Sequence, residues 1–276
     1  MLENGEPIAK DELLVSIFNE YYINIIKYSS GKPPSDITDN YGSNNMDNLI
    51  DHILQQYEAH PSIVKINKLD IRLDSFTFNE VSNEEVLKLL KDVNPKKSVG
   101  IDTIPPFFVK LAADLLAKPF TDLINQSIRE CVFPSKAKIA AVLPFFKNMD
   151  RVVKKNYRPV SILSAFSKNF EKILKNQVVP YFDKCLSLFI SAYRKHYGTQ
   201  HVLIRLIEEW KQNLDSDKIV GAILMDLSKD FDCIRHDLLI AKLHAYGFDR
   251  KALKQIFSYL KGRRQAEKLN GIYSKF

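Results

Sequence analysis

The segment that most constrains this chain is the apolar run from Ile219 to Leu224, which is followed directly by Met225 and Asp226. A short apolar run that is partly β-branched predicts a strand covered on both faces. In α/β structures the C-terminal ends of such strands tend to carry the chemistry. A carboxylate there is costly to bury unless it is paired or holds a metal ion. We therefore predict a buried strand over residues 219–226 that delivers Asp226 to a functional site.

The charge of the chain is unevenly distributed along its 276 residues, which carry a formal net charge of +7. Residues 1–90 contain 7 Lys and Arg against 15 Asp and Glu, a net of −8, whereas residues 91–276 contain 33 against 18, a net of +15. This basic part predicts a polyanionic partner. A charged, solvated surface is the alternative explanation, because basic proteins are common.

Composition also indicates where the protein works. No apolar run is long enough to cross a membrane, and residues 1–6 lack the apolar core of a secretory signal. Three widely separated cysteines, Cys131, Cys185 and Cys233, are typical of reduced thiols rather than of a disulfide framework. We expect an intracellular protein, cytoplasmic or nuclear, that does not contact membranes.

The order of the predicted elements indicates an α+β fold, because helices come first and mixed strands and helices follow. Asp11 is a candidate cap for the first helix, Ser82 caps another, and Trp210 and Cys233 are expected in the core. The predicted elements are a helix over 10–28, a polar linker over 29–48, a helix over 46–58, an extended stretch from Pro61 to Phe78, a helix after Ser82, a loop over 96–106, a helix over 107–129, a strand over 139–144, a helix carrying Phe166, Phe170, Ile173 and Leu174, and a helix from Thr199 to Trp210.

Four polar motifs occur in a fixed order, and each is modest by itself. They are Lys97–Pro105 (KSVGIDTIP), Pro144–Lys147 with Asn156–Ser161 and Ser167–Lys172 (PFFK, NYRPVS and SKNFEK), Ser191–Gln200 (SAYRKHYGTQ), and the Asp226 segment with His236–Leu239 and Tyr246–Phe248 after it. Together, over residues 76–276, this series resembles the reverse transcriptase of non-LTR retrotransposons of the LINE or jockey type.

The resemblance implies a right-hand polymerase with fingers and the first part of a palm. Residues 1–75 would be an acidic helical connector, 76–205 the fingers, and 206–276 the start of the palm. The full-length family enzyme is an RNA-directed DNA polymerase that extends a DNA primer on an RNA template with dNTPs. Its two Mg²⁺ ions need hard oxygen ligands and clamp the attacking and leaving oxygens.

The resemblance also implies roles for single residues. Asp226 matches the family's first metal-binding, catalytic Asp, and Phe231 matches the bulky residue that closes the sugar pocket. Arg158 and Arg194 lie in motifs that face nucleotide and template, and Lys229 belongs to the nucleotide-binding segment. Lys147 and Lys195 are candidates for nucleic-acid contacts.

Alternatives stay open for several of these side chains. Arg158 and Arg194 could be ordinary surface residues, and Lys147 a solvated lysine or a backbone-phosphate contact. Asp232 suits a helix cap better than a metal ligand, and Asp102 suits a loop hydrogen bond.

Two departures from the family pattern bear on activity. Asp230 stands where Ala or Gly is usual and would repel a triphosphate by roughly 4 kcal/mol at about 4 Å and an effective dielectric of about 20. The family's later Pro-Gln-Gly and Ala-Asp-Asp boxes do not occur in these 276 residues. We therefore expect a polymerase fragment that is inactive as this chain. The alternatives are a non-catalytic nucleic-acid-binding remnant, or a chain that forms no stable protein because a sheet edge stays open.

Overall fold

The computed structural model describes most of the chain, namely residues 2–3, 6–7, 10–24, 46–69, 74–187, 189–226 and 234–275. Its helices are α1 (Asp11–Ile23), α2 (Met46–Tyr57), α3 (Pro61–Asn67), α4 (Asn83–Lys91), α5 (Pro106–Leu111), α6 (Ala113–Glu130), α7 (Ala165–Phe182), α8 (Thr199–Leu214), α9 (His236–Ala245) and α10 (Arg250–Leu260). Its strands are β1 (Leu2–Glu3), β2 (Glu6–Pro7), β3 (Ile139–Phe146), β4 (Tyr157–Ile162), β5 (Arg264–Leu269) and β6 (Ile272–Tyr273).

A four-stranded sheet in the order β4-β3-β5-β6 organises the second half of the chain. Strand β3 pairs antiparallel with β4 and parallel with β5, while β5 and β6 form an antiparallel hairpin. Ala140, Ala141 and Val142 of β3 are buried, as expected for a central strand. The coarse prediction of a mixed α and β fold is therefore confirmed.

The main hydrophobic core lies among the helices. Phe133, Phe170 and Ile173 are fully buried in it, together with Ile50 of α2 and Ile240 of α9. The helices over residues 46–67 thus share one core with the C-terminal helices, although their sequence is acidic. None of the helices in the described part of the chain is long and apolar enough to cross a membrane.

Local chemistry explains several helix starts. The Ser82 hydroxyl accepts a hydrogen bond from the Glu85 amide at 3.1 Å, which confirms the predicted cap of α4. Ser164 caps α7 and Asp249 caps α10 in the same way. The predicted helices over 46–58 and after Thr199 and the predicted strand over 139–144 are confirmed by α2, α8 and β3.

Two predictions about the N-terminal region are wrong. Asp11 does not cap α1, because Lys10 holds the capping position and Asp11 is already helical; its carboxylate accepts a hydrogen bond from Asn270 instead. The stretch after Pro61 is not extended at first but forms α3, since proline suits the first turn of a helix, where its missing N–H is not needed. The predicted linker over 29–48 falls largely outside the described residues.

The predicted buried strand over residues 219–226 is also wrong. This segment has no regular secondary structure, and Ile219 and Leu224 are 99% and 93% exposed. A strand buried on both faces needs paired neighbours and a covering layer, and no strand in the described part of the chain pairs with this segment. Trp210 is likewise on the surface rather than in the core, because α8 has no buried residue.

Candidate functional site

The β3–β4 hairpin carries two of the predicted site residues, Lys147 and Arg158. Arg158 pairs with Phe145 in the antiparallel register, and the Lys147 amide donates a 2.9 Å hydrogen bond to the Asn156 carbonyl. Residues directly opposite each other share a face of the hairpin, and so do residues two apart along a strand. Phe145, Lys147 and Arg158 therefore project from the same face.

That face of the hairpin is open to solvent. Phe145 is 65% exposed, and Lys147 and Arg158 are both exposed. Within the described residues, neither cation forms an ion pair with an Asp or Glu. Two unneutralised cations beside an exposed aromatic ring are the combination that nucleic-acid and nucleotide surfaces use.

The opposite face of the hairpin is held against the rest of the protein. Tyr157 packs edge-on against Phe18 of α1, with ring centroids 5.0 Å apart, and its hydroxyl donates to the Arg151 carbonyl at 2.9 Å. The buried Asn156 amide donates to the Asp150 carbonyl at 2.8 Å. These hydrogen bonds hold the loop over 147–156 together on the side that faces the protein. Lys147 and Arg158 remain on the side that faces solvent.

Paired prolines explain where the hairpin leaves the sheet. Pro144 and Pro159 lie opposite each other and lack the N–H that a strand paired on both sides would need. The β3–β5 pairing ends at Val142, two residues before Pro144. The distal half of the hairpin therefore projects beyond the sheet as a two-stranded arm.

Arg194 faces the protein rather than solvent. Its side chain is only 11% exposed and lies 3.5 Å from the Asp183 carboxylate. The guanidinium donates to the Ser187 and Ile190 carbonyls at 3.4 and 3.5 Å and stacks over the Tyr197 ring at 4.6 Å. These contacts all lie within residues 183–197, so Arg194 stabilises the conformation of the loop that contains it. Its neighbour Lys195 is exposed.

Asp226 is exposed at the end of the described segment 219–226. Lys229, Asp230, Phe231 and Asp232 lie outside the described residues. Among the residues that the structure does describe, no three His, Cys, Asp or Glu side chains are grouped so that they could hold a metal ion. The described side chains therefore do not fit a complete magnesium site.

A polar network fixes the chain just after that segment. Tyr57 donates a 2.5 Å hydrogen bond to the Asp237 carboxylate, and Arg235 binds both groups. Burial raises the pKa of Asp237, but hydrogen bonds from Arg235 and Tyr57 outweigh it and lower the pKa overall. Burial, followed by the hydrogen bond to Asp237, raises the pKa of Tyr57 to about 12. The network therefore stays an ion pair at neutral pH.

Phe145 is the site residue that the sequence interpretation missed. The available signal was its position two residues before Lys147 in a predicted strand, which places both side chains on one face. The Tyr57 network had no such signal, because Tyr57 and Arg235 are separated by 178 residues.

Comparison with known proteins shows what the chain is similar to. Residues 146–275 match the family model described as reverse transcriptase (RNA-dependent DNA polymerase). The chain is 28% identical to the probable RNA-directed DNA polymerase from transposon BS of Drosophila melanogaster over 204 residues. This alignment covers 72% of this chain and 22% of that protein. The chain is 23% identical over 197 residues to the RNA-directed DNA polymerase from mobile element jockey of Drosophila funebris, covering 70% and 21%.

The matched residues include Lys147, Arg158, Arg194 and Asp226, so the resemblance drawn from the motifs is confirmed. The chain spans about a fifth of the length of these curated relatives. Residues 146–275 thus match the reverse transcriptase family model, and the chain is similar to the RNA-directed DNA polymerases of mobile elements.

Proposed function

We propose that this chain supplies the fingers and the first metal-ligand segment of an RNA-directed DNA polymerase of a non-LTR retrotransposon. The observation that carries the proposal is the open hairpin face with Phe145, Lys147 and Arg158, which lies at the start of the family match. In this assignment residues 1–75 are the connector, 76–205 the fingers and 206–276 the start of the palm.

Lys147 and Arg158 bind the triphosphate of an incoming dNTP in this proposal. The Arg158 guanidinium can bind two phosphate oxygens at once, while the Lys147 ammonium acts as a point charge. Phe145 is exposed on the same face, and its ring can stack on a base or a sugar. The rigid closure of the loop by Asn156 holds both cations in place before the nucleotide arrives.

Asp226, Lys229 and Phe231 form the second half of the proposed site. Asp226 would supply one hard oxygen ligand for Mg²⁺, and a bound ion would supply charge stabilisation at a phosphoryl group. Lys229 contributes a cation to the nucleotide, and Phe231 excludes a ribose 2′-hydroxyl. Asp230, between them, weakens nucleotide binding by repulsion.

Arg194 and Lys195 have separate roles in the proposal. The inward contacts of Arg194 support a positioning role for the loop over 183–197, rather than direct contact with phosphate. Lys195 is exposed on that loop and contacts the RNA template or the DNA primer.

Photo-crosslinking of radiolabelled dTTP tests the nucleotide site directly. The double variant Lys147→Gln with Arg158→Gln should lose most of the labelling, about tenfold, because two charge-assisted contacts are removed. The matched control is Lys88→Gln with Arg129→Gln, which removes the same charge from α4 and α6. Equal labelling of both double variants would overturn the assignment of the hairpin face.

A second variant tests the repulsion by Asp230. Asp230→Ala should raise the dTTP labelling severalfold, whereas Asp215→Ala, which removes an equal charge elsewhere, should leave it unchanged. If Asp230→Ala labels no better than the parent chain, the carboxylate does not face the triphosphate.

A second candidate function is nucleic-acid binding without chemistry. The net charge of +15 over residues 91–276 favours it. This function predicts RNA binding that weakens steeply with salt, together with equal dTTP labelling of the hairpin variant and its control.

A further inference from the structure

Helix α1 is held to the sheet by a small core of its own. Phe18, Tyr21 and Tyr22 of α1 pack with Val142 of β3, and Tyr157 of β4 packs against this group. The cluster is separate from the main hydrophobic core. A unit with few apolar contacts to the rest of a protein can open while the remainder stays folded. Opening of α1 would therefore leave the main core intact.

Hydrogen bonds between side chains and the β5–β6 hairpin complete the docking of α1. The Asn19 side-chain amide donates to the Lys275 carbonyl at 3.1 Å, and Gln265 of β5 donates to the Asn19 side-chain oxygen at 3.4 Å. Asn270, in the turn between β5 and β6, donates to the Asp11 carboxylate at 3.0 Å. None of these bonds belongs to the strand ladder, so the release of α1 would not break the sheet.

A carboxylate is buried beneath the docked helix. Glu267 pairs with Val142 in the parallel register, so both side chains lie on the sheet face that α1 covers. Glu267 is fully buried, and neither of its carboxylate oxygens has a hydrogen-bond partner among the described residues. An ionised carboxylate without partners is costly to bury. The docked position of α1 therefore suits the protonated acid and disfavours the carboxylate.

Phenol groups, rather than cations, face Glu267 from α1 and β4. Tyr22 lies within electrostatic range of Glu267, and Tyr21 and Tyr157 surround Tyr22. Burial, followed by the charge of Glu267, raises the pKa of Tyr22, so this phenol stays neutral. The Tyr22 hydroxyl has no hydrogen-bond partner within the described ranges. These side chains therefore give a Glu267 carboxylate no neutralising charge.

No cation pairs with Glu267 in the part of the chain that the structure describes. The Lys154 ammonium lies over the Tyr21 ring, 5.5 Å from its centroid. Lys268 and Arg264 alternate with Glu267 along β5, so they project from the other face of the strand. The remaining charged side chains of α1 and of the chain after β6 are exposed, namely Lys10, Glu12, Glu20 and Lys275.

From this geometry we infer that α1 is a pH-sensitive cover of the sheet, which stays docked while Glu267 carries its proton and is released when Glu267 ionises. The released helix lets water reach the carboxylate, which removes the penalty for its burial. The inference goes beyond the proposed function, because the release of α1 does not depend on what the chain binds.

The direction of the pH dependence follows from the two states of Glu267. Burial raises the pKa of Glu267 from its usual 4.5 to about 8 in the docked state. With α1 released, the carboxyl group is solvated and returns to its usual value. The docked state thus keeps a proton that the released state loses between pH 4.5 and about 8, so release becomes more favourable as pH rises through this window.

Release of α1 would also loosen the β3–β4 hairpin. The Tyr157 ring packs edge-on against Phe18 of α1, with centroids 5.0 Å apart, and this contact ends when α1 leaves. The same hairpin carries Lys147 and Arg158 on its opposite face. A regulatory meaning for this loosening rests on the proposed function, whereas the release itself does not.

Hydrogen–deuterium exchange of the full chain, read by mass spectrometry, tests the cover. The parent and Glu267→Gln would be compared at pH 5 and again at pH 8.5, because comparison at one pH cancels the pH dependence of chemical exchange. At pH 8.5 the peptides of α1 should exchange at least about tenfold faster in the parent, and at pH 5 within a few-fold of the variant. Peptides of α6 should stay protected in both proteins at both pH values.

Three further variants assign the effect to the carboxyl group. Glu267→Met is neutral and apolar and should keep α1 protected at pH 8.5, as Glu267→Gln does. Tyr22→Phe removes the neighbouring hydroxyl but keeps the acid, so it should retain the pH-dependent release. Glu208→Gln, which removes an exposed carboxylate from α8, is the matched control and should behave as the parent.

The possible outcomes separate release from unfolding and from the proposed function. Loss of protection in α1 and α6 together would overturn the inference, because it would mean global unfolding. Equal exchange of α1 in the parent and in Glu267→Gln at pH 8.5 would overturn it as well. Neither result bears on dTTP labelling of the hairpin face, which uses no variant of Glu267.

Discussion

At the scale of single residues, the buried carboxylate of Glu267 is the most unusual group in the molecule. Glu267 lies in β5 opposite Val142, is 0% exposed, and neither of its carboxylate oxygens hydrogen-bonds to a described residue. Tyr22 of α1 is buried nearby, and its hydroxyl also lacks a partner among the described residues. Burial raises the pKa of Glu267 from its usual 4.5 to about 8.

This raised pKa makes stability depend on pH in a defined direction. Between pH 4.5 and about 8 the folded chain keeps the Glu267 proton and the unfolded chain releases it, so stability falls as pH rises through this window. The shift spans about 3.5 pKa units, so the reduction is at most about 5 kcal/mol at about 1.4 kcal/mol per unit. Glu267→Gln cannot lose a proton and should melt at least about 5 °C above the parent at pH 8.5, but within a degree or so of it at pH 5.

Thermal unfolding at both pH values, followed by circular dichroism, checks this prediction. Glu208→Gln, on the exposed face of α8, is the control and should track the parent chain at both values. A constant difference between Glu267→Gln and the parent from pH 5 to pH 8.5 would show that Glu267 does not titrate in this window.

Individual side chains differ in how far the sequence could predict them. The cap by Ser82 was predictable, because a cap involves residues three apart. The inward position of Arg194 was not, since Asp183 and the Ser187 carbonyl come from the preceding turn. Glu267 was not predictable either, because α1 covers it from the other end of the chain.

At the scale of elements, the close packing of the 96–106 loop on α7 rests on Gly100. A Cβ atom there would be 2.7–3.0 Å from backbone atoms of Leu163 and Ser164, which cannot move aside without moving the helix start. Gly100→Ala should therefore lower the free energy of unfolding by about 1–3 kcal/mol. The midpoint of urea unfolding measures this change.

Gly221→Ala is the control for that measurement, because nothing lies within 4 Å of a Cβ atom at Gly221. It should change the urea midpoint by no more than the experimental error. Equal midpoints for Gly100→Ala and Gly221→Ala would contradict the packing of the loop on α7.

Helix α2 is held to the C-terminal helices by polar contacts as well as by the core. Asp47 pairs with Lys254 at 2.7 Å, and Tyr57 binds the Arg235–Asp237 pair. Tyr57→Phe leaves that partly buried pair short of one donor and one acceptor, and should cost about 1–2 kcal/mol of unfolding free energy. The control Tyr273→Phe, on a hydroxyl with no such partners among the described residues, should cost nearly nothing in the same urea titration.

Elements were predictable where the signal was local and failed where it was tertiary. The hairpin strand over 139–144 follows from a short apolar run, and the helix after Ser82 follows from a cap. The apolar run over 219–226 carries the composition of a buried strand, but burial depends on neighbouring strands and covering layers. The described chain provides neither for this segment, so the residues are exposed.

At the scale of the whole molecule, the account predicts binding without turnover. By resemblance the sequence offers Asp226 as one metal ligand, and it contains neither a Pro-Gln-Gly box nor an Asp-Asp pair. A two-metal clamp needs several carboxylates, so these 276 residues should extend an RNA-templated DNA primer no faster than buffer with Mg²⁺ and dNTPs. Gel analysis beside an active reverse transcriptase checks this, and extension above the buffer lane would contradict it.

The central claim is that this chain supplies the fingers of a polymerase and binds nucleic acid there. Mapping cross-links from a primed template tests this claim most directly. A thiouridine-labelled RNA annealed to a DNA primer would be irradiated with the full chain, and the linked peptides identified by mass spectrometry. The account predicts cross-links on the hairpin over 143–160 and beside Lys195. Cross-links confined to the acidic helices α1 and α2, or equally spread over all exposed lysines, would contradict it.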